Sequence, residues 1–435
     1  MFADFLGGAR GRLLPASVPF RFFGGAVTFH LAAWGMLLVK GDELPGFQGG
    51  PGPMLAALHL VTLGVLAMTA MGAAFQLLPV ATKKPVRSIG ACKLSFWLFL
   101  GGVPVLVYGM AEGRQWAMAV GGSLLVTGLA VYAALIADNL RRVSDMRIVT
   151  DHAWTAMGAL LTLAIFGLLL IGDFAGGYLP DHRGMAVAHG MVAAYGFMGM
   201  LVLGFSFVLV PMFGLSPPAD ARLGQRSAWV ATAALVLAVP GMAAGIPALA
   251  FAGGILGLGA AAMHLRAMFK VMKSRMKKQL GGSFVLIRLA WVLMPASIVL
   301  GLASGAGMGE AWSPTLFGFI LVFGWLLSFL TGVLQRIIPF LASMYSVAPG
   351  VKPVLVSKLT AERPLRIHLI CHCLALALVA AGIVSGQGLV VQLGAAAGLT
   401  GAAAFAWFAG LVWLRMTRHR SARPAAGGAT SARGA

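Results

Sequence analysis

Nine histidines and three cysteines hold most of the metal-ligating capacity of this 435-residue chain. Three of the histidines, His30, His59 and His189, fall inside long apolar runs. A neutral imidazole is cheaper to bury than a charge, but both of its nitrogens still need partners. An ionisable group at membrane depth is therefore a candidate functional site. Imidazole nitrogen ligates haem iron and copper. His59, His189 and His30 are accordingly candidate cofactor ligands, and His59 and His189 candidate metal ligands. The plainer alternative gives each ring a structural bond to a neighbouring hydroxyl or carbonyl. Met68, Met71, Met191, Met198 and Met200 share the runs of His59 and His189. With 23 methionines in the chain, packing accounts for them, and none is assigned as a ligand.

The remaining clusters are weaker. His368, Cys371 and His372 stand at i, i+3 and i+4, a spacing that can hold a soft metal but more often marks small core residues at a helix entry. His152, His264 and His419 adjoin basic connectors and read as solvated or at lipid headgroups. His182, between Asp181 and Arg183, reads as a surface cluster. Asp and Glu are absent from the middle of every apolar run, and no catalytic residue is assigned.

The elements that must position these histidines are membrane helices. The stretch His59 to Pro79 carries Gly64, Gly72 and Pro79, spaced G-x7-G-x6-P. Gly196, Gly204 and Pro211 repeat that spacing, as do Gly324, Gly332 and Pro339, at intervals of 132 and 128 residues. At about 100° per residue, the marked positions of each copy share one helix face. Glycine notches let helix backbones approach in lipid, where packing drives association.

Twelve spans are expected, at roughly 22–39, 55–79, 94–110, 116–137, 153–173, 187–212, 227–246, 247–268, 284–303, 313–340, 367–385 and 388–414. The split near Gly245–Pro247 is either two spans or one re-entrant hairpin. The notched helices are then spans two, six and ten, each the second member of a four-helix unit. The units cover about 22–137, 153–268 and 284–414 and make a pseudo-threefold, all-α bundle. Residues 1–21 form an N-terminal segment, and 415–435 read as a disordered basic tail.

Composition agrees. The chain is 59% hydrophobic and 10% charged, less than half the charge of a typical soluble domain. Its net charge of +20 sits in short connectors, so it reflects membrane orientation rather than nucleic-acid binding. The two termini, the even-numbered connectors and the span ends beside them hold 29 of 32 Lys and Arg; Lys40, Arg114 and Arg183 are the others. Both termini are therefore expected in the cytoplasm of a bacterial-type inner membrane, with the first span acting as its own membrane signal. Three cysteines, Cys92, Cys371 and Cys373, and the lack of a CxxCH motif exclude a disulfide scaffold and a covalently attached haem.

Twelve spans in three quartets, with a histidine near the outer end of span two, resemble subunit I of the haem-copper oxidase superfamily, which includes cytochrome c oxidase and nitric oxide reductase. The stretch HLVTLGVLAMTAMGAAFQLLPV is similar to sequences in divergent single-subunit relatives. The resemblance implies that His59 matches the ligand of the low-spin haem and that His189 is nearest to the copper ligand of the sixth helix. Several positions depart from the pattern. Ala193 stands where the family has a tyrosine, and Tyr195 is two residues further on. Span seven lacks the histidine pair, and span ten lacks any histidine. The chain also resembles, more loosely, the twelve-span NnrS proteins linked to nitric oxide.

A complete binuclear centre is thus not expected, nor is oxygen reduction coupled to proton pumping. The leading expectation is a membrane protein that binds haem b or copper near its outer face through His59 and His189, with His30 as a third ligand. It would act in nitric oxide or oxygen-related redox metabolism with a redox partner protein. If it is an enzyme, it is an oxidoreductase. The alternative is a cofactor-free permease or respiratory-complex assembly factor on the same scaffold.

Overall fold

The computed structural model describes residues 13–143, 146–346 and 353–421. The N-terminal residues 1–12 and the tail residues 422–435 lie outside them. Among the described residues there are twelve helices long and apolar enough to cross a membrane, and no strands. They are α1 (Ser17–Lys40), α2 (Pro53–Thr82), α3 (Ile89–Ala111), α4 (Gln115–Arg141), α5 (Arg147–Gly176) and α6 (His182–Gly214). The second half comprises α7 (Ala221–Ala243), α8 (Pro247–Lys273), α9 (Gly282–Gly305), α10 (Ser313–Tyr345), α11 (Glu362–Ser385) and α12 (Gly388–Ser421).

Most helices run beyond their apolar segments, because the backbone keeps its internal bonds through the interfacial region. Two extensions change the sequence reading. α5 begins at Arg147, so His152 lies more than a turn inside it. α12 continues past Leu414, where the composition suggests a disordered tail. Arg415 there donates to the carbonyls of Leu359 and Thr360, and Met416 is buried. Between α7 and α8 the chain reverses at Ala244–Ile246, with Gly245 at φ +65°, so the two are separate helices.

Three helices form the inside of the bundle. In α2, α6 and α10, 72%, 78% and 78% of the most apolar window is buried, against at most 50% in any other helix. Each contains eight residues of wider π-helix: Leu60–Ala67, Val192–Gly199 and Ile320–Leu327. These segments start four residues before the first marked glycine of each copy and share its intervals of 132 and 128 residues. π-turns are rare, so three at matching positions point to one supersecondary unit used three times.

The glycine faces do not meet at the bundle axis. Each pair seats the first helix of its own quartet. A Cβ on Gly64 or Gly72 would stand 2.6 or 2.5 Å from the Cβ of Phe29 or Phe22 on α1. On Gly196 or Gly204 it would stand 2.8 or 2.7 Å from the Cβ of Ala159 or His152 on α5. On Gly324 it would meet Leu293 at 3.0 Å, and on Gly332 the Ser283 carbonyl at 2.8 Å, both on α9. The notches thus dock an outer helix against each inner one, and the close approach is what only glycine permits.

Candidate functional site

His59 ends the first turns of α2, immediately before its π-segment. Its Nδ1 donates to the Leu55 carbonyl at 2.9 Å, one turn back. That bond fixes the tautomer and leaves the Nε2 lone pair available to a ligand. His189 stands three residues ahead of the matching π-segment of α6. Gly167 of α5 makes room for its ring: a Cβ there would stand 3.2 Å from His189 Cε1. His189 is half-buried, with its Nδ1 enclosed and the Leu163 backbone of α5 close to its ring. The two rings are near enough to interact electrostatically, so both border the same region between α2 and α6.

The donor set here is two neutral nitrogens from two inner helices. It would suit a metal ion that accepts imidazole, or a haem iron, with any further ligand coming from elsewhere. The third inner helix adds no nitrogen. Its matching position is Phe319, whose ring stacks on Phe323 at 5.1 Å. Among the described residues, no group of three or more His, Cys, Asp or Glu side chains is arranged to hold a metal.

His30, expected beside this pair, sits elsewhere. Phe29 faces Gly64 on α2, so the next residue, about 100° further round α1, faces α11 and α12. There the His30 ring lies 6.5 Å from that of His368 and 6.4 Å from Phe405. Its Nε2 accepts from Trp34 Nε1 at 3.0 Å, which is the structural role of the plainer alternative. The His368 and His372 rings stack at 5.6 Å. Ser328 Oγ and His372 Nε2 are 2.7 Å apart, and Gln335 Nε2 is 3.2 Å from His368 Nδ1. Cys371 turns aside to pack against Gly401 of α12. The i, i+3, i+4 cluster is therefore divided, with its histidines inside and its thiol at the α12 contact.

His152 and His264, expected to be solvated, are both fully buried. The Phe207 ring lies between them, 5.7 Å from the first and 5.2 Å from the second. His152 Nδ1 donates to the Ile148 carbonyl at 2.7 Å, while His152 Nε2 and His264 Nδ1 have no partner. Their nearness to basic connectors in the sequence conceals their depth. The available signal is Gly204, whose notch receives the His152 Cβ. His182 is only partly exposed and donates from Nδ1 to Asp173 Oδ2 at 2.6 Å, a hydrogen bond that ties the start of α6 to the end of α5.

Neither a family model nor a curated protein matches the sequence. A solved structure does match: a haem-copper terminal oxidase dimer determined by cryo-electron microscopy, similar with a TM-score of 0.61 and 12% sequence identity. The match covers 94% of this chain and 85% of that one. At this identity the likeness speaks for the arrangement of helices, and it extends across nearly the whole bundle. The chain is an all-helical, twelve-span membrane protein with the fold of haem-copper oxidase subunit I.

Proposed function

We propose that this protein binds a redox cofactor through His59 and His189 near one face of the membrane. The observation that carries the reading is the imidazole pair on α2 and α6: the two half-buried rings border one another, and His59 is fixed in a ligating tautomer. Copper is favoured over haem b by charge. The pair brings no carboxylate, and a monovalent ion is the least costly metal to hold between neutral donors in an apolar setting. When bound, the metal would supply one-electron chemistry and an open position for a small gas such as nitric oxide or oxygen. The protein's own residues orient the two rings, through the Leu55 carbonyl at His59 and the space beside Gly167 at His189. A haem-copper oxidase fold supports this class of cofactor by analogy, whereas the histidine-free span ten argues against a binuclear centre.

The Lys- and Arg-rich face is taken to be cytoplasmic, which puts both termini there and the His59–His189 pair toward the outside of a bacterial-type inner membrane. An electron-transfer role requires a redox partner protein at that outer face.

The test is metal analysis together with a visible spectrum of protein produced with both copper and haem supplied. Stoichiometric copper that is lost in His59→Ala and in His189→Ala, but kept in His30→Ala, is the expected result. A Soret band with the same mutational pattern would reassign the pair to haem b. Wild-type protein with neither cofactor would leave the permease or assembly-factor reading in its place.

A further inference from the structure

Helix α8 is the least enclosed of the twelve, with 22% of its most apolar window buried. At its Lys- and Arg-rich end, Ala262, Leu265, Arg266, Phe269, Lys270 and Lys273 line one open groove. All six belong to α8, so the protein supplies a single wall and the surroundings supply the rest. Arg266, Lys270 and Lys273 stand at i, i+4 and i+7, within a sector of about 60° on the helix. Phe269 lies beside them and is 64% exposed, although its ring approaches that of Trp291 on α9 at 6.3 Å. Along the axis the lining changes from hydrocarbon at Ala262 and Leu265 to cations at Lys270 and Lys273, over about 16 Å. That order is the order of a phospholipid leaflet, from acyl chain to phosphate. A soluble partner would reach the lysines but not Ala262 and Leu265, which lie within the apolar span.

The charge is uncompensated. Residues 215–305 hold nine Lys and Arg against one carboxylate, Asp220. Asp220 already caps α7 and acts on Lys270 through its longer-range field. Among the described residues, the side chains of Arg266, Lys270 and Lys273 have no hydrogen bond or salt bridge. Three such cations on one face repel one another, and an anion between them relieves the repulsion. A zwitterionic headgroup brings a cation of its own and relieves it less.

We propose that this face of α8 seats one anionic phospholipid from the leaflet on the Lys- and Arg-rich side. Its phosphate would lie among Arg266, Lys270 and Lys273, and an acyl chain along Phe269, Leu265 and Ala262. The site shares no residue with the histidine pair and does not depend on the cofactor reading. The experiment is native mass spectrometry of the full-length protein released from micelles doped equally with phosphatidylglycerol and phosphatidylcholine of the same acyl chains. The wild type is expected to keep one phosphatidylglycerol in preference to phosphatidylcholine. Arg266→Gln/Lys270→Gln/Lys273→Gln should weaken its retention roughly a hundredfold, since each Lys or Arg near an anionic surface is worth about fivefold. Lys83→Gln/Lys84→Gln/Lys93→Gln removes the same charge from exposed positions elsewhere on that side and should leave the preference intact. Millimolar inorganic phosphate should not displace the lipid. Gel filtration checks that each variant is folded, and Arg266→Gln/Lys273→Gln replaces the triple variant if that is not. The inference is overturned if the wild type keeps both lipids equally, if the folded α8 variant keeps the preference, if the control variant loses it as fully, or if inorganic phosphate displaces the lipid.

Discussion

Adding a single methyl group at Gly72 tests the packing of the bundle directly. An alanine Cβ at this position would lie 2.5 Å from Phe22 Cβ and 3.2 Å from its Cγ. Ordinary carbon–carbon contact is about 3.7 Å, so α1 and α2 would have to separate by roughly 1 Å. Separation would also forfeit dispersion contacts along both helices, since association in lipid depends on close packing. Overpacking by one methyl costs about 1–3 kcal/mol in a dense core, and this site belongs at the upper end because both helices are held along their length. Gly204→Ala and Gly332→Ala occupy the matching positions. With contacts at 2.7 and 2.8 Å they should cost somewhat less, in that order. Gly24→Ala and Gly318→Ala are the controls, because nothing lies within 4 Å of a Cβ at either position. The assay is reversible unfolding in mixed micelles, read by circular dichroism and repeated at several detergent compositions. If Gly72→Ala proves as stable as Gly24→Ala, the notches do not hold the outer helices, and the threefold packing argument fails.

Other expectations rest on single contacts. Ser328→Ala leaves His372 Nε2 buried without its 2.7 Å partner and should cost about 1–3 kcal/mol in the same assay. Adding His372→Phe to that variant should recover part of the loss, since no imidazole then remains to be satisfied. Asp220 caps α7 by accepting from the backbone N–H groups of Leu223 and Arg222, and those bonds hold its carboxyl below the ordinary carboxylate range. A depressed folded value means that its stabilisation is complete above the unfolded value of about 3.9 and is lost as pH falls through the folded value. Asp220→Asn should therefore flatten the acid limb of the stability profile below about pH 4 and leave neutral pH little changed. Asn139 joins Thr82 to the Lys84 carbonyl, at 3.1 and 2.7 Å, so Asn139→Leu should loosen the α2–α3 connector and raise its amide hydrogen exchange.

Much of the architecture is legible in the sequence because hydropathy and connector charge are local properties. A run such as Leu160–Ile171 announces a span whatever surrounds it, and the glycine intervals announce the repeat. The direction of the notched faces is not legible. Spacing shows that Gly64 and Gly72 share a face, but only the fold shows that Phe29 and Phe22 fill it. The site is legible in part. His59 and His189 stand out by depth alone, whereas the grouping of His30 with His368 and His372 depends on α1 closing against α11 and α12 across more than 300 residues. Nor does any side-chain preference announce the π-segments. Leu60–Ala67 holds four weaker helix formers, Val61, Thr62, Gly64 and Val65, but weak α propensity does not specify a π-turn.

Those segments bear on how the chain tolerates changes in its own length. In a regular helix, inserting or deleting one residue turns everything beyond it by about 100°, which would swing Gly72 off Phe22. A widened turn already carries a surplus residue and restores the phase of the turns beyond it. The three inner helices can therefore absorb a one-residue deletion within Leu60–Ala67, Val192–Gly199 or Ile320–Leu327, but not two turns further along. The π-segments are where these rods are free to change in length, and the second glycine seats, Gly72, Gly204 and Gly332, are where they are not.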